Sequence, residues 1–372
     1  MKKRILEVIP TLDRAGAEKQ LTLLAAGLPA DEFDVHVCAL TRGGPLLDDL
    51  EKADVPTTVL GKRWKLDPSA FLRLKRLIAK LQPDLIHTWI FAANAYGRAA
   101  GAMAGVKCLV AGERCVDPWK GQRDLMVDRY LVRRTARIVT NSTGVVEFYV
   151  KHGLPREKFV VIPNGISPPK PSPTPRDLLL DELGLPADAR LIGLIGRLWP
   201  QKRVDDALWS ADLLKRVCTD THLIVLGDGP QRDRLRRFRD KIELADRVHF
   251  LGHRDDAWRI VPHFDVLWST SAYEGQSNAI MEAMAHGIPV VATDIAGTRD
   301  LVVDGETGFL VSATKADAER RRAAFAKHTY QLLDDPDEVA RLGAAAKERM
   351  QTEFTVEKMV ARHGELYREL LG

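Results

Sequence analysis

Short runs of aliphatic and β-branched residues recur along this chain, each separated from the next by a stretch with helical periodicity. The pattern begins with Arg4-Ile5-Leu6-Glu7-Val8-Ile9, stopped by Pro10. A glycine-containing loop, Thr11 to Gly16, and a helix over Ala17–Leu28 follow. Further strands are predicted at Phe33–Leu40, Thr57–Leu60, Leu85–Trp89, Lys107–Ala111, Ile138–Thr140 and Phe159–Ile162, with helices such as Phe71–Leu81, Tyr96–Ala104 and Leu125–Arg137 between them. Runs this apolar need cover on both faces, so the alternation implies an α/β fold with a parallel sheet between helical layers. The series then breaks at Ser167-Pro168-Pro169-Lys170-Pro171-Ser172-Pro173-Thr174-Pro175, which continues neither strand nor helix. A second series starts at Leu191, with strands at Leu191–Ile195, His222–Leu226, Val248–Phe250, Val266–Ser269 and Pro289–Ala292, and from Ala316 the chain reads as helical to its end. The expected organisation is a first domain over 1–168, a proline-rich linker over 169–189, a second domain over 190–352, and a last helix over 353–372 for which packing back on the first domain is open. Two doubly wound domains place a ligand cleft between the carboxyl ends of their strands.

Length and charge narrow the partners. At 372 residues the chain has room for two cores, and its formal net charge of +4 favours phosphate-bearing ligands or an anionic membrane surface without requiring either. Cys38, Cys108, Cys115 and Cys218 lack metal-ligand spacing and read as reduced thiols. Met1-Lys2-Lys3-Arg4 looks like the start of a signal peptide, but the apolar run after it is cut short at Pro10. No run approaches the ~20 apolar residues of a membrane helix. The expected location is the cytoplasm, with at most a peripheral contact at the inner face of the membrane. The basic helix Phe71–Leu81 carries Arg73, Lys75, Arg76 and Lys80; it reads first as cover for the sheet and second as a weak patch for anionic lipid. No nucleic-acid motif is present. Asp255-Asp256 and Asp335-Pro336-Asp337 sit where helix starts and turns favour aspartate, so no metal is assigned.

Three stretches of the second half are more specific. Gly196-Arg197-Leu198-Trp199-Pro200-Gln201-Lys202 follows a strand and brings two cations to its end, a guanidinium that forks onto phosphate and an ammonium that acts as a point charge. Glu274-Gly275-Gln276-Ser277-Asn278-Ala279-Ile280-Met281-Glu282 is a glycine loop leading into a helix capped by Ser277 or Asn278. Amides at that helix start suit an anion, Glu274 precedes the helix, and Glu282 lies more than one turn inside it. Leu226-Gly227-Asp228-Gly229-Pro230 and Phe250-Leu251-Gly252-His253-Arg254 are two further strand ends that could frame a nucleobase. On the first half, His87 ends a strand and Glu113-Arg114 follows another.

In this order and spacing the second half resembles the retaining glycosyltransferases of family four, the "group 1" type. The matching run extends from Ile192 to Val311 and includes the G-R-x4-K element (Gly196, Arg197, Lys202), the E-x7-E element (Glu274, Glu282) and Glu282-Ala283-Met284-Ala285-His286-Gly287-Ile288-Pro289-Val290-Val291-Ala292. The first half is similar more loosely, through Thr11 to Glu18, Asp84-Leu85-Ile86-His87, Asn141-Ser142 and Ile162-Pro163-Asn164-Gly165-Ile166. It departs in holding Ala15-Gly16 where many relatives have two glycines, Trp89 where many have a second histidine, and Ser167 where aspartate is common.

The resemblance implies the GT-B fold, two Rossmann-like doubly wound domains facing across a cleft. It implies transfer of a sugar from a nucleotide-diphosphate sugar to a polysaccharide, lipid-linked glycan or small molecule, with retained configuration and no cofactor beyond the donor. Arg197 and Lys202 would bind the diphosphate, helped by Gly16, Gly196 and the Gly275, Gln276, Ser277 and Asn278 segment. Glu282 would hold the ribose and Glu274 the sugar, with Gly227 and Arg254 in the donor pocket. His87, Trp89, Glu113 and Arg114 are the candidates on the acceptor side, His87 also for catalysis. The alternatives are a nucleotide-sugar-binding protein without activity, or another GT-B enzyme such as an epimerase.

Overall fold

The computed structural model describes residues 2–314 and 317–372; Met1 and Ala316, at the ends of two of the segments read above, lie outside them. Two compact units emerge, Met1–Gly165 together with Phe354–Gly372, and Ile166–Glu353.

The first unit alternates β1 (Lys3–Thr11), α1 (Gly16–Gly27), β2 (Phe33–Arg42), α2 (Leu47–Lys52), β3 (Thr57–Val59), α3 (Pro68–Leu81), β4 (Leu85–Trp89), α4 (Ile90–Met103), β5 (Cys108–Glu113), α5 (Gln122–Leu131), β6 (Arg137–Thr140), α6 (Thr143–Lys151) and β7 (Phe159–Val161). Its seven strands are parallel in the order β3-β2-β1-β4-β5-β6-β7. The reason β1 is apolar on both sides is visible in its neighbours. Ile5 and Ile9 enter one core with Leu21 and Leu24 of α1, while Leu6 and Val8 enter another with Leu74 and Ile78 of α3.

The amphipathic helix read at Phe71–Leu81 is α3. Pro68 opens it, Asp67 caps it by accepting from the Ala70 amide at 3.0 Å, and Gln82 closes it in the left-handed region. Its apolar stripe, Ala70, Leu74 and Ile78, is fully committed to the sheet. The helix expected from Tyr96 begins instead at Ile90, with no loop after β4, and Ile90 takes a φ of +59° to make that turn. A β-branched residue there is strained, which is why periodicity alone missed the first turns.

The second unit runs α7 (Arg176–Glu182), β8 (Arg190–Ile195), α8 (Val204–Leu214), β9 (Thr221–Leu226), α9 (Arg232–Lys241), β10 (Val248–Gly252), α10 (Ala257–Ile260), β11 (Val266–Ser269), α11 (Asn278–Ala285), β12 (Val290–Asp294), α12 (Ala296–Arg299), β13 (Gly308–Ser312), α13 (Ala318–Asp334) and α14 (Pro336–Glu353). Its six strands are parallel in the order β10-β9-β8-β11-β12-β13. Within the stretch read as a linker, α7 buries Leu179 and Leu180, and Arg176 bonds the Asp265 carboxylate at 2.7 Å, so that part of the chain is built into this unit. The helical end is three helices, broken where Asp335-Pro336 interrupts the backbone ladder.

The last helix, α15 (Val356–Leu371), packs on α1 of the first unit. It contributes Met359, Val360, Leu366 and Tyr367 to the same core as Ile5 and Ile9.

Candidate active site

In the second unit the strand order reverses between β8 and β11, and in open parallel sheets the ligand crevice lies at the carboxyl ends of such a pair. The chain there is drawn tight. The Gly196 amide donates to the Leu226 carbonyl at 2.9 Å, and the Gly227 amide to that of Gly252 at 2.7 Å. Gly227 has φ +135°, and a Cβ on it would come within 2.1 Å of the Gly196 oxygen, so no other residue fits.

The loops after β8 and β11 are stitched together across the switch point. Ala272 N–H donates to the Gln201 carbonyl at 2.8 Å, Gln201 Nε2 to the Tyr273 carbonyl at 2.8 Å, and Thr270 Oγ1 to the Lys202 carbonyl at 2.7 Å. At the centre, Lys202 Nζ lies 2.5 Å from Glu274 Oε1, with side chains 19% and 11% exposed. Ser271 Oγ donates to the same carboxylate oxygen at 2.8 Å. The lysine and the carboxylate, 72 residues apart, thus form one part-buried ion pair.

Around this pair, Gly275, Gln276 and Ser277 are buried. Ser277 stands at the N-cap of α11 without a side-chain bond to the helix start. Gly297 of α12 backs the loop so closely that a Cβ would come 1.7 Å from the Gly275 carbonyl oxygen. Asn278 opens α11, and half-buried Glu282 lies one turn further on. Burial holds the His286 imidazole below its ordinary range, with Glu282 opposing. Arg197 is exposed on the loop after β8. Arg254, at the end of β10, bonds Asp256 at 2.7 Å and Glu182 of α7 at 3.1 Å, and these partners raise its pKa against the effect of burial. The structure therefore brings Gly196, Lys202 and Glu274 together and engages Arg254 with acidic partners.

In the first unit Gly16 is the exposed first residue of α1. The acceptor-side candidates are interior. His87 and Trp89 are fully buried on β4. Tyr367 Oη of α15 donates to Glu7 Oε1 at 2.8 Å and lies 2.6 Å from His87 Nδ1, while Trp89 Nε1 donates to Glu7 Oε2 at 2.6 Å. Burial, then the Glu7 charge, pushes the Tyr367 hydroxyl well above its usual range. Burial, then His87, holds His363 well below its own.

Glu113 joins a second buried network. Lys120 Nζ lies 3.4 Å from Glu113, 3.5 Å from Asp117 and 3.0 Å from Asp128, and donates to Tyr149 Oη at 2.7 Å. Burial pushes the Lys120 ammonium down, but Glu113, Asp128 and Asp117 more than reverse it, leaving its pKa raised. Burial raises the Glu113 carboxyl, with Lys120 opposing. Arg114 donates to Asn164 Oδ1 at 2.5 Å, lies over the Trp89 ring at 4.7 Å, and is pushed down to about 9 by burial.

Glu7, Tyr367, His363 and Lys120 were not singled out from the sequence. Glu7 had a signal, a lone carboxylate inside an apolar strand, which must find partners if buried. Among the described residues no group of three or more His, Cys, Asp or Glu is placed to hold a metal ion, and no helix is long and apolar enough to cross a membrane.

Two Rossmann-like units, the second with this stitched loop pair at its switch point, have the architecture of the GT-B class. Residues 14–169 match the profile of Glycosyltransferase Family 4 and residues 189–335 that of Glycosyl transferases group 1, so the chain belongs to the family-four glycosyltransferases. It is 28% identical over 310 residues to the UDP-Gal:alpha-D-GlcNAc-diphosphoundecaprenol alpha-1,3-galactosyltransferase of Escherichia coli, covering 78% of this chain and 79% of that one. It is 28% identical over 288 residues to the lipopolysaccharide core biosynthesis glycosyltransferase LpsE of Rhizobium meliloti, covering 77% and 76%. In fold it is similar to Anabaena HepE, solved with UDP and glucose, with a TM-score of 0.86, 24% identity and coverage of 99% and 100%.

Proposed function

We propose that the protein transfers a hexose from a uridine-diphosphate sugar to a glycan or lipid-linked acceptor, with retention of configuration and without a divalent metal. The observation that carries this reading is the Lys202–Glu274 pair across the β8/β11 switch point. A donor seated there meets an ammonium for its diphosphate and a carboxylate for its sugar within hydrogen-bond distance of each other. Arg197, exposed on the same loop, adds a second cation, and the first amides of α11 add dipoles aimed at negative charge. Together they stabilise the charge that grows on the leaving phosphate. Glu282 accepts from the ribose hydroxyls. The leaving phosphate takes the proton of the acceptor hydroxyl as that hydroxyl attacks the same face of the sugar. The choice of uridine rests on the E. coli relative, named for UDP-Gal, and on the UDP held by the Anabaena protein.

Calorimetry with UDP and other nucleoside diphosphates, with and without EDTA, tests this reading. Binding of UDP that survives EDTA, and turnover of a UDP-sugar under the same conditions, is expected. Loss of both on chelation, restored by Mg²⁺ or Mn²⁺, would refute the metal-free mechanism. The reading includes a peripheral contact with a membrane, because a lipid-linked acceptor is presented at one.

A further inference from the structure

We infer that the loop 61–66 and the exposed side of α3 form a docking surface for an anionic lipid bilayer, with Trp64 and Leu66 as the inserting side chains. The inference rests on the peripheral-membrane part of the reading above and not on the transfer chemistry.

The buried stripe of α3 cannot meet lipid, since Ala70, Leu74 and Ile78 cover the sheet. What remains outside is Leu72, 52% exposed, with Arg76 and Lys80. The loop before the helix supplies more. Trp64 is 64% exposed and Leu66 81%, and they alternate with Lys62, Arg63 and Lys65. A tryptophan and a leucine interleaved with cations suit the boundary between acyl chains and anionic headgroups, where ring and chain enter and ammonium groups stay at the phosphates.

Charge complementarity selects the occupant. Between residues 61 and 82 there are seven Lys or Arg and a single acid, Asp67. That acid is buried, and its carboxylate is occupied by the Arg63 and Ala70 amides at 2.9 and 3.0 Å and the Ser69 hydroxyl at 2.6 Å. No exposed acid therefore interrupts the seven cations of this segment. The loop is also pre-shaped. The Lys62 amide donates to the Leu40 carbonyl at 2.7 Å, Arg73 Nε to the Leu60 carbonyl at 2.8 Å, and the Asp67 amide to Tyr96 Oη at 2.6 Å. Insertion then orders only the side-chain tips, which keeps its entropic cost small.

Co-sedimentation of the full chain with vesicles tests the surface. Binding is expected with phosphatidylcholine vesicles carrying phosphatidylglycerol at low salt, and loss of it with phosphatidylcholine alone or at high salt. Lys62→Gln and Lys65→Gln should each weaken partitioning by about fivefold. Trp64→Ala combined with Leu66→Ser should weaken it by about tenfold or more at an unchanged melting temperature. Absence of wild-type binding to the anionic vesicles at low salt overturns the inference, as does equal binding by the Trp64/Leu66 variant. A concentration-dependent dimer in sedimentation velocity, abolished by that variant and unaccompanied by vesicle binding, overturns it in favour of a second copy of the chain. Turnover of a UDP-sugar in vesicle-free solution is read separately, so failure of the surface and failure of the proposed reaction are distinguishable.

Discussion

Lys202 and Glu274 are each other's partner, and removing one has a different consequence from removing the other. Their charged atoms are 2.5 Å apart and mostly shielded from water. At an effective dielectric constant of ~20, unit charges at ~4 Å attract by about 4 kcal/mol, and desolvation of both groups offsets most of that. Lys202→Met leaves the carboxylate with the Ser271 hydroxyl and should destabilise the second unit by about 1–2 kcal/mol, a fall in its melting temperature of about 2–8 °C. In the proposed reaction it also removes a cation from the leaving phosphate. Loss of one such group costs roughly a hundredfold in turnover, and UDP affinity should fall with it. Glu274→Gln keeps an acceptor for Ser271 and releases the ammonium from its carboxylate. UDP affinity should then stay level or tighten by up to about tenfold, while turnover of the complete donor falls, because the group facing the sugar has changed. Calorimetry with UDP on both variants, with kcat measured on the donor, separates the cases. Glu274→Gln weakening UDP as much as Lys202→Met does would refute the assignment of diphosphate to one residue and sugar to the other.

The remaining expectations concern single groups. Glu282→Gln should weaken UDP more than it slows transfer, since an amide accepts with one oxygen where a carboxylate accepts with two; unchanged affinity in calorimetry removes Glu282 from the ribose. Tyr367→Phe strips a hydroxyl from buried Glu7 and His87 and should cost about 1–3 kcal/mol of stability with UDP affinity intact, read by thermal unfolding. Lys120→Met leaves Glu113, Asp117 and Asp128 facing one another and should cost about 3–5 kcal/mol. Burial already raises the Glu113 carboxyl, so its contribution is present at low pH and lost as pH rises through its folded pKa. The Lys120 variant should therefore unfold more readily at about pH 8 than at about pH 5, and a flat profile contradicts the account.

The parallel sheets were legible because their signal is local. Ile5-Leu6 and Val8-Ile9 are apolar in a row only because helices cover both faces, and a two-sided core leaves that mark on every central strand. The loops after β8 and β11 were legible for a related reason. Gly227 is excluded by backbone contact from being anything else, and Lys202 and Glu274 lie on the loops that follow β8 and β11. Where periodicity failed, a local conformation overrode it. Ile90 turns the chain from strand to helix in the left-handed region, and α7 forms within a proline-rich stretch because Leu179 and Leu180 have a core to enter.

The first unit's polar interior was hidden because its partners are remote in sequence. His87 reads as a strand-end residue when only its own segment is considered. Tyr367, 280 residues later, occupies its Nδ1, and Tyr367 also bonds Glu7 at the opposite end of the chain. A buried carboxylate tolerates no loose geometry, since each lost donor leaves charge unsolvated. The Glu7 site therefore specifies where Tyr367, and with it α15, must lie. The last helix is held to the first unit by polar as well as apolar contacts, and a polar lock fixes a register that Met359, Val360 and Leu366 could otherwise meet by sliding. His87, through its contact with Tyr367, belongs to the group of side chains that holds α15 in place.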